Sequence, residues 1–288
     1  MKPIDSIIQT INDVPPLSNV TSKVIKLLDN PDTSVNQLVS IIQYDQSITA
    51  NVMKIANSAY YGKSGTVRSL SESLIVLGNK QLKEIILTGS FSKFFECEQK
   101  GYKKARGELW QHAASSAILA RLISEHIGKE EHPSLFTAAL LHDIGKLVLD
   151  SYVERYFEQI IALVLEKHYS FIEAESEMIG MNHAEVGAKI AEKWHFPEEI
   201  VQAIKLHHSP ENAVENDNIT HIVYLANVIT ALLGIGSGLD SLAVRGKKEI
   251  LKLYSLTQQD IEKIMVSFYD MYDSIQDLIF GSFQNSKE

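Results

Sequence analysis

Proline is nearly absent from the interior of this chain. The seven prolines stand at Pro3, Pro15, Pro16, Pro31, Pro133, Pro197 and Pro210, so 32–132 and 134–196 carry none. An interior proline costs a helix about 3 kcal/mol. Stretches this long without one permit helices throughout. Apolar spacing fits that freedom. Ile48, Val52, Ile55 and Ala56 fall at i, i+4, i+7 and i+8. Near the C-terminus Ile261, Ile264, Met265, Phe268, Met271, Ile275, Leu278 and Ile279 keep one face over about six turns. No period-2 strand pattern and no Asn-Gly or Asp-Gly hairpin turn accompanies them. The sequence predicts an all-α fold.

Helix ends are marked locally. Ser69 with Glu72, Ser170 with Glu173, and Asn182 with Glu185 have capping-box spacing. Pro197 suits a first turn, where its missing donor costs nothing, and Glu198 and Glu199 behind it meet the positive helix end. Gly78 and Gly180 are expected helix stops. Gln99, Lys100, Gly101, Lys103, Lys104 and Arg106 form a polar interval between two helical patterns. It reads as a solvated connection, with a small phosphate-binding patch as the sharper alternative. The boundary is therefore expected there, with a helical subdomain over 1–105 packed on a second over 106–288. The tail after Phe283 is expected to fray.

Composition excludes several classes. At 288 residues and 45% hydrophobic residues the chain can bury a core without staples. Its one cysteine, Cys97, rules out an internal disulfide and a multi-cysteine zinc or iron–sulfur site. The formal charge of −9 argues against nucleic acid and anionic membrane as general partners, though not against a local basic pocket. Met1 to Pro16 carries Asp5 and Asp13 and lacks the apolar core of a signal peptide. Ile222 to Ile235 is too short for a membrane span and is broken by Asn227 and Thr230. A cytoplasmic location without membrane attachment is the expectation.

Ten histidines remain to be explained. His126, His132, His168 and His195 read as surface or packing residues. The others are more suggestive. His112 follows Trp110 early in a helix. His142 and Asp143 are adjacent in an apolar helix, Phe136 to Leu149. His183 follows the cap Asn182. His207 and His208 end the helix that Pro197 opens, and His221 precedes the apolar helix containing Asn227. A buried histidine beside a carboxylate is costly unless paired or metal-bound. Lys146 lies at i+4 from His142 and i+3 from Asp143, so the three share a face. Imidazoles with a carboxylate suit iron, manganese, nickel or zinc, and several helices can aim them into one bundle cavity. A hydrogen-bonded structural pair is the ordinary alternative, as is a His-His pair answering the helix dipole.

The segment Leu140-Leu141-His142-Asp143-Ile144-Gly145-Lys146-Leu147 resembles the signature of the HD superfamily of metal-dependent phosphohydrolases. More of the chain resembles its HDOD branch. The motifs are Val14-Pro15-Pro16-Leu17, Ile41 to Asp45, Ala56-Asn57-Ser58-Ala59-Tyr60-Tyr61-Gly62, Leu77-Gly78 and Trp110-Gln111-His112. Asn182 to Ala188, Trp194-His195-Phe196-Pro197 and His207-His208 complete the order. The resemblance implies an HD-type helical bundle for the second subdomain. Relatives in the neighbouring HD-GYP branch hold two or three metals. By that resemblance one site maps to His112, His142, Asp143 and Asn227, and the other to Asp143, His183, His207 and His208. Asn227 stands where an aspartate is expected and brings no charge, so that ligand position is degenerate and a second cation should bind more weakly. The Gly-Tyr-Pro loop is absent; Ser209-Pro210-Glu211-Asn212 comes after His208, which removes the main reason to infer cyclic-di-GMP hydrolysis.

Two functions of different class are implied. The first is a regulatory, non-catalytic HDOD module of bacterial signal transduction, with a retained site for one or two divalent transition-metal ions and other signalling proteins as partners. The second is a metal-dependent phosphohydrolase, a phosphodiesterase or nucleotidase, acting on a nucleotide or cyclic nucleotide. There a metal-activated water would attack phosphorus and Lys146 would contact phosphate oxygens. Asn57 and Ser58 carry no inferred chemistry beyond capping or bridging helices.

Overall fold

The structure is a computed structural model. It describes residues 3–15, 17–28, 30, 32–57, 67–95, 98–129, 132–214, 217–236, 238 and 248–279. Ser58 to Gly62 of the Asn57 motif, Cys97 and the tail after Phe283 lie outside the described residues, as do the side chains of Ile275, Leu278 and Ile279. The helices are α1 (Ile4–Asp13), α2 (Asn19–Leu28), α3 (Val35–Ile42), α4 (Gln46–Ala56), α5 (Leu70–Ser92), α6 (Glu108–His126), α7 (Leu135–Leu141) and α8 (Lys146–Arg155). They continue with α9 (Phe157–Lys167), α10 (Phe171–Ile179), α11 (His183–Lys193), α12 (Glu198–Leu206), α13 (Asn218–Leu232), α14 (Lys248–Leu253) and α15 (Gln258–Ile279). Among the described residues the extended pairing is one isolated bridge, Gln99 with Lys104. The chain is all-α.

Local chemistry accounts for the helix ends. Ser170 with Glu173 and Asn182 with Glu185 form reciprocal capping boxes. Ser34 with Gln37 forms another, one not anticipated from the sequence. Ser69 Oγ accepts from Glu72 N at 3.1 Å, while Glu72 reaches back to Arg68 N instead of Ser69. Gly78 breaks α5 at φ +72°, and Gly180 ends α10 at φ +98°. Pro197 is the residue before α12 instead of its first helical one.

Contacts divide the chain into two compact units, Pro16–Phe94 with Met271–Glu288 and Met1–Pro15 with Phe95–Asp270. The first unit has its own core, in which Val24, Leu38, Ile42, Val52, Leu74, Leu82 and Ile86 are buried. The division departs from 1–105 and 106–288 at both ends. Residues 1–15 group with the second unit because Lys193 Nζ donates to three carbonyls there. These are Ile11 O at 3.1 Å, Asn12 O at 2.6 Å and Val14 O at 2.6 Å. Trp194 Nε1 donates to Pro15 O at 3.1 Å beside them. Two of the motifs that carry the family resemblance thus meet.

The second unit is built around α6. Its Leu109, Trp110, Ala113, Ala114, Ala117, Leu119 and Ala120 are all buried, on every side of the helix. The small residues let α7 and α13 pack closely on it. Trp110 meets Phe95 with ring centroids 5.8 Å apart.

The interval Glu98 to Gly107 is not a solvated connection. Gln99, Tyr102 and Lys104 are buried. Gly101 explains the approach: a Cβ there would lie 2.2 Å from Asp150 O, on the backbone of α8. Gly101 N donates to Asp150 Oδ1 at 2.9 Å. The interval is a tight loop pinned to α8; Gln99, Tyr102 and Lys104 turn inward while Lys100, Lys103 and Arg106 stay exposed.

Candidate metal centre

The apolar run Phe136 to Leu149 is not one helix. α7 ends at Leu141, His142 to Gly145 form a turn, and α8 begins at Lys146. Gly145 lies against the start of α11, where an added Cβ would be 1.9 Å from His183 O. This contact brings the His142-Asp143 turn against the capped end that carries His183. His207 and His208 arrive from the C-terminus of α12. His112 lies on α6, and Asn227 lies on α13. His221, expected before α13, lies within it and pairs instead with Tyr254 and Pro210 O.

All the mapped ligand residues come together. Asp143, His183, His207 and His208 present ligand atoms within 4.8 Å of one another, and so do His112, His142 and Asp143. Asp143 belongs to both groups and divides its oxygens between them. Oδ1 faces His183 Nε2 at 3.4 Å and His207 Nε2 at 3.6 Å. Oδ2 faces His142 Nε2 at 3.6 Å and His112 Nε2 at 3.7 Å. Asn227 Oδ1 lies 2.9 Å from His112 Nε2. His208 is the ligand that retains partial solvent exposure; His112, His142, Asp143, His183, His207 and Asn227 are buried.

Four of the five imidazoles are held from behind. His142 Nδ1–H donates to Ala139 O at 2.7 Å and His207 Nδ1–H to Ile204 O at 2.6 Å. His183 Nδ1–H donates to Glu175 Oε2 at 2.7 Å, and His112 Nδ1 lies 3.2 Å from Ile235 O. A neutral ring that donates from Nδ1 carries its lone pair on Nε2. Three lone pairs, those of His142, His183 and His207, therefore point inward at one carboxylate, and a fourth joins them when His112 holds its proton on Nδ1. His142 Nε2, His207 Nε2 and Asp143 Oδ1 are buried without a hydrogen-bond partner, an expensive arrangement that a cation resolves.

If His112 holds its proton on Nδ1, its Nε2 and Asn227 Oδ1 turn lone pairs toward each other; a shared cation, an amide flip that presents the NH2, or a proton on Nε2 settles that pair. The 2.9 Å between His112 Nε2 and Asn227 Oδ1 and the 3.0 Å between His183 Nε2 and His208 Nε2 place each pair close enough to share one ion. The donor set suits a transition metal in preference to calcium or magnesium.

Burial keeps the rings of His112, His142, His207 and His208 neutral, and the carboxyl of Asp143 is ionised. Burial lowers His112 to about 3 and His142 to about 4, against the pull of Asp143. Burial also lowers His207, and it lowers His208 further, with His207 and His183 adding to that effect. Burial opposes ionisation of Asp143, but the Lys146 ammonium beside it holds it well below the usual carboxylate range. Lys146, expected as a candidate phosphate contact, is buried with Nζ 2.6 Å from Asp143 Oδ2. Its ammonium neutralises the oxygen that faces His112 and His142.

Three residues of the centre were missed in the sequence. Glu175 is fully buried behind His183. Tyr102 OH donates to Glu175 Oε1 at 2.6 Å. Lys104 is buried, donates to Gly236 O, and its charge bears on His112. Only Glu175 leaves a signal: it lies at i+4 from Phe171 and i−4 from Ile179, a carboxylate on an apolar face. His126, His132, His168 and His195 lie outside the centre, and His126 pairs with Asp260 at 3.1 Å.

An all-helical unit that gathers buried histidines around a shared aspartate is the architecture of the HD class. Residues 14–210 match the HDOD domain, and the chain belongs to that family. A Treponema pallidum (strain Nichols) protein of unassigned role is 23% identical over 211 residues, 73% of this chain. The matched part makes up 40% of that relative's own length. Among solved structures, an HDOD domain protein from Geobacter sulfurreducens superposes with a TM-score of 0.70 at 24% identity, over 96% of each chain. A Shewanella amazonensis SB2B protein, described as a candidate metal-dependent phosphohydrolase, gives a TM-score of 0.64 at 19% identity, over 95% of this chain and 96% of its own. These likenesses show the fold. Among the described residues no helix is long and apolar enough to cross a membrane.

Proposed function

We propose that the chain is a regulatory HDOD module of bacterial signalling that holds a divalent transition metal without turning over substrate. The observation that carries the metal reading is the set of buried atoms without partners, His142 Nε2, His207 Nε2 and Asp143 Oδ1. Each is aimed inward by a hydrogen bond or by the turn on the opposite side. His112, His142, Asp143, His183, His207 and His208 would hold the metal, with Asn227 as a neutral contributor. When bound, such an ion supplies Lewis acidity. The chain's own residues favour holding over turnover. Lys146 is committed to Asp143 and is not extended toward a phosphate. All ligands except His208 are buried. Fold membership alone carries no activity. Other signalling proteins are the expected partners, and a nucleotide is the expected small ligand if one enters beside His208.

One observation favours the second reading, a metal-dependent phosphohydrolase. Asp143 divides its two oxygens between two ligand groups, as a carboxylate does when two cations flank one reacting phosphate. The deciding experiment is metal analysis of protein purified without chelator. Phosphodiesterase and nucleotidase assays with manganese or iron come next, on the same preparation. Bound metal without turnover is the expected result. Protein that retains none of iron, manganese, nickel or zinc after reconstitution refutes the metal reading. Turnover abolished by Asp143→Asn establishes the hydrolase instead.

A further inference from the structure

Glu175 has an environment unlike that of an ordinary structural carboxylate. It is 0% exposed. Its three contacts are all hydrogen-bond donors: Tyr102 OH at 2.6 Å, His183 N at 3.0 Å and His183 Nδ1 at 2.7 Å. No lysine or arginine lies within ion-pair distance of it among the described residues. A carboxylate removed from water without a cation costs several kcal/mol even after relaxation. The first-turn N–H of α11 answers it in part, and a full positive charge would act on it through the ring of His183.

That ring is well placed to transmit it. Glu175 takes the Nδ1 proton, so Nε2 is left with its lone pair. That lone pair faces Asp143 Oδ1 at 3.4 Å and His208 Nε2 at 3.0 Å. Tyr102 holds the other carboxylate oxygen, and its ring stands edge-on to His183 with centroids 6.4 Å apart. Asn182 and Glu185 form the capping box at the start of α11, and Glu175 accepts from the His183 N–H, a first-turn donor that the box leaves open. On the opposite side of Asp143 the charges run the other way. Lys146 is bound to Oδ2, and Lys104 reaches Gly236 O, next to the carbonyl that orients His112. We infer that Glu175 is the positioning residue and second anion of the centre. It fixes His183 as a ligand and makes the Asp143, His183, His207 and His208 group the half that takes a cation.

The inference deepens the metal reading above and rests on it, so its test uses two readouts. The first is Co2+ titration of the metal-free full chain, monitored by visible absorption, for the parent and Glu175→Gln. Glutamine preserves shape and an acceptor for Nδ1–H but removes the charge. Co2+ affinity should fall about ten- to a hundredfold, the range for removing a carboxylate behind a histidine ligand. The melting temperature of the metal-free variant should stay equal or rise, since an unanswered buried charge is gone. A Glu175 that only ties α10 to α11 would give the reverse, a lower melting temperature with unchanged Co2+ affinity. The second readout is nitrogen NMR of the histidine rings in the metal-free parent, which requires no variant to fold. His183 protonated on Nδ1 and bare on Nε2 is the expected state; a proton on Nε2 overturns the inference. If the parent binds no Co2+, the functional reading fails on the first readout, and the second still decides the role of Glu175.

Discussion

Gly145→Ala is the substitution whose cost the structure specifies most directly. Gly145 has φ −63° and ψ −23°, where alanine is at ease, so backbone conformation adds no strain. The added Cβ would lie 1.9 Å from His183 O and 2.6 Å from Gly187 N. Both are backbone atoms of α11, so no side chain can rotate aside. Restoring ordinary contact requires the two chains to part by about 1.5 Å. Forcing extra methyl groups into packed interiors costs about 1–3 kcal/mol, and a backbone-on-backbone clash belongs at or beyond the upper end. At about 2–4 °C per kcal/mol for a chain of this size, the melting temperature should fall by about 6–12 °C. The same movement separates Asp143 from His183, now 3.4 Å apart at Oδ1 and Nε2, and metal affinity should fall with it. Gly128→Ala is the control. Its φ is +65° and nothing lies within 4 Å of the added carbon, so it bears only left-handed strain of about 1–2 kcal/mol and leaves metal binding alone. Thermal melts and metal titrations of both variants make the test. A Gly145→Ala protein no less stable than Gly128→Ala would refute the close-approach argument.

Two further substitutions probe the centre and its support. Asn227→Asp should raise metal content per chain at the His112 and His142 group, because it restores an anion 2.9 Å from His112 Nε2. Unchanged content by elemental analysis would show that this amide is not the weak ligand. Lys193→Met should release the end of α1 by removing three bonds to the carbonyls of Ile11, Asn12 and Val14. The cost is about 1–3 kcal/mol for charge-assisted bonds at a partly exposed site, seen as faster hydrogen exchange over residues 4–13. Unchanged exchange there would mean that the Trp194 and Pro15 contact suffices.

What the sequence disclosed was local in origin. His183 was legible because Asn182 and Glu185 announce the helix end that carries it. His207 and His208 were legible because Pro197 sets the start of their helix and its apolar spacing sets the length. The break at His142 was not, since the apolar run continues unbroken to Leu149. The helix ends there because Gly145 meets His183 O, a contact between residues far apart in sequence. Tyr102 and Lys104 were hidden for the same reason. A polar interval rich in lysine resembles a solvated loop, and only the contact of Gly101 with Asp150 turns it inward. The first fifteen residues looked contiguous with α2 and α3, and the lysine that holds them, Lys193, lies in α11.

The enclosed charges decide how many cations the centre can take. Asp143 and Glu175 contribute two negative charges, and Lys146 and Lys104 two positive ones, all on buried side chains. Without metal the enclosure is neutral in sum but uneven in distribution. The ammonium of Lys146 lies against the oxygen that serves His112 and His142, while Glu175 stands behind His183 with no cationic side chain beside it. A first divalent ion is therefore drawn to the His183 side, where the negative charge is unanswered, and leaves the enclosure positive. A second would have to displace Lys146 from Asp143 and then share that carboxylate, with only the neutral Asn227 added on its own side. Repulsion between charges in a buried setting is far stronger than in water. On the metal reading proposed above, the lysine would hold the position of a second cation and bias the two halves of the site toward a single ion.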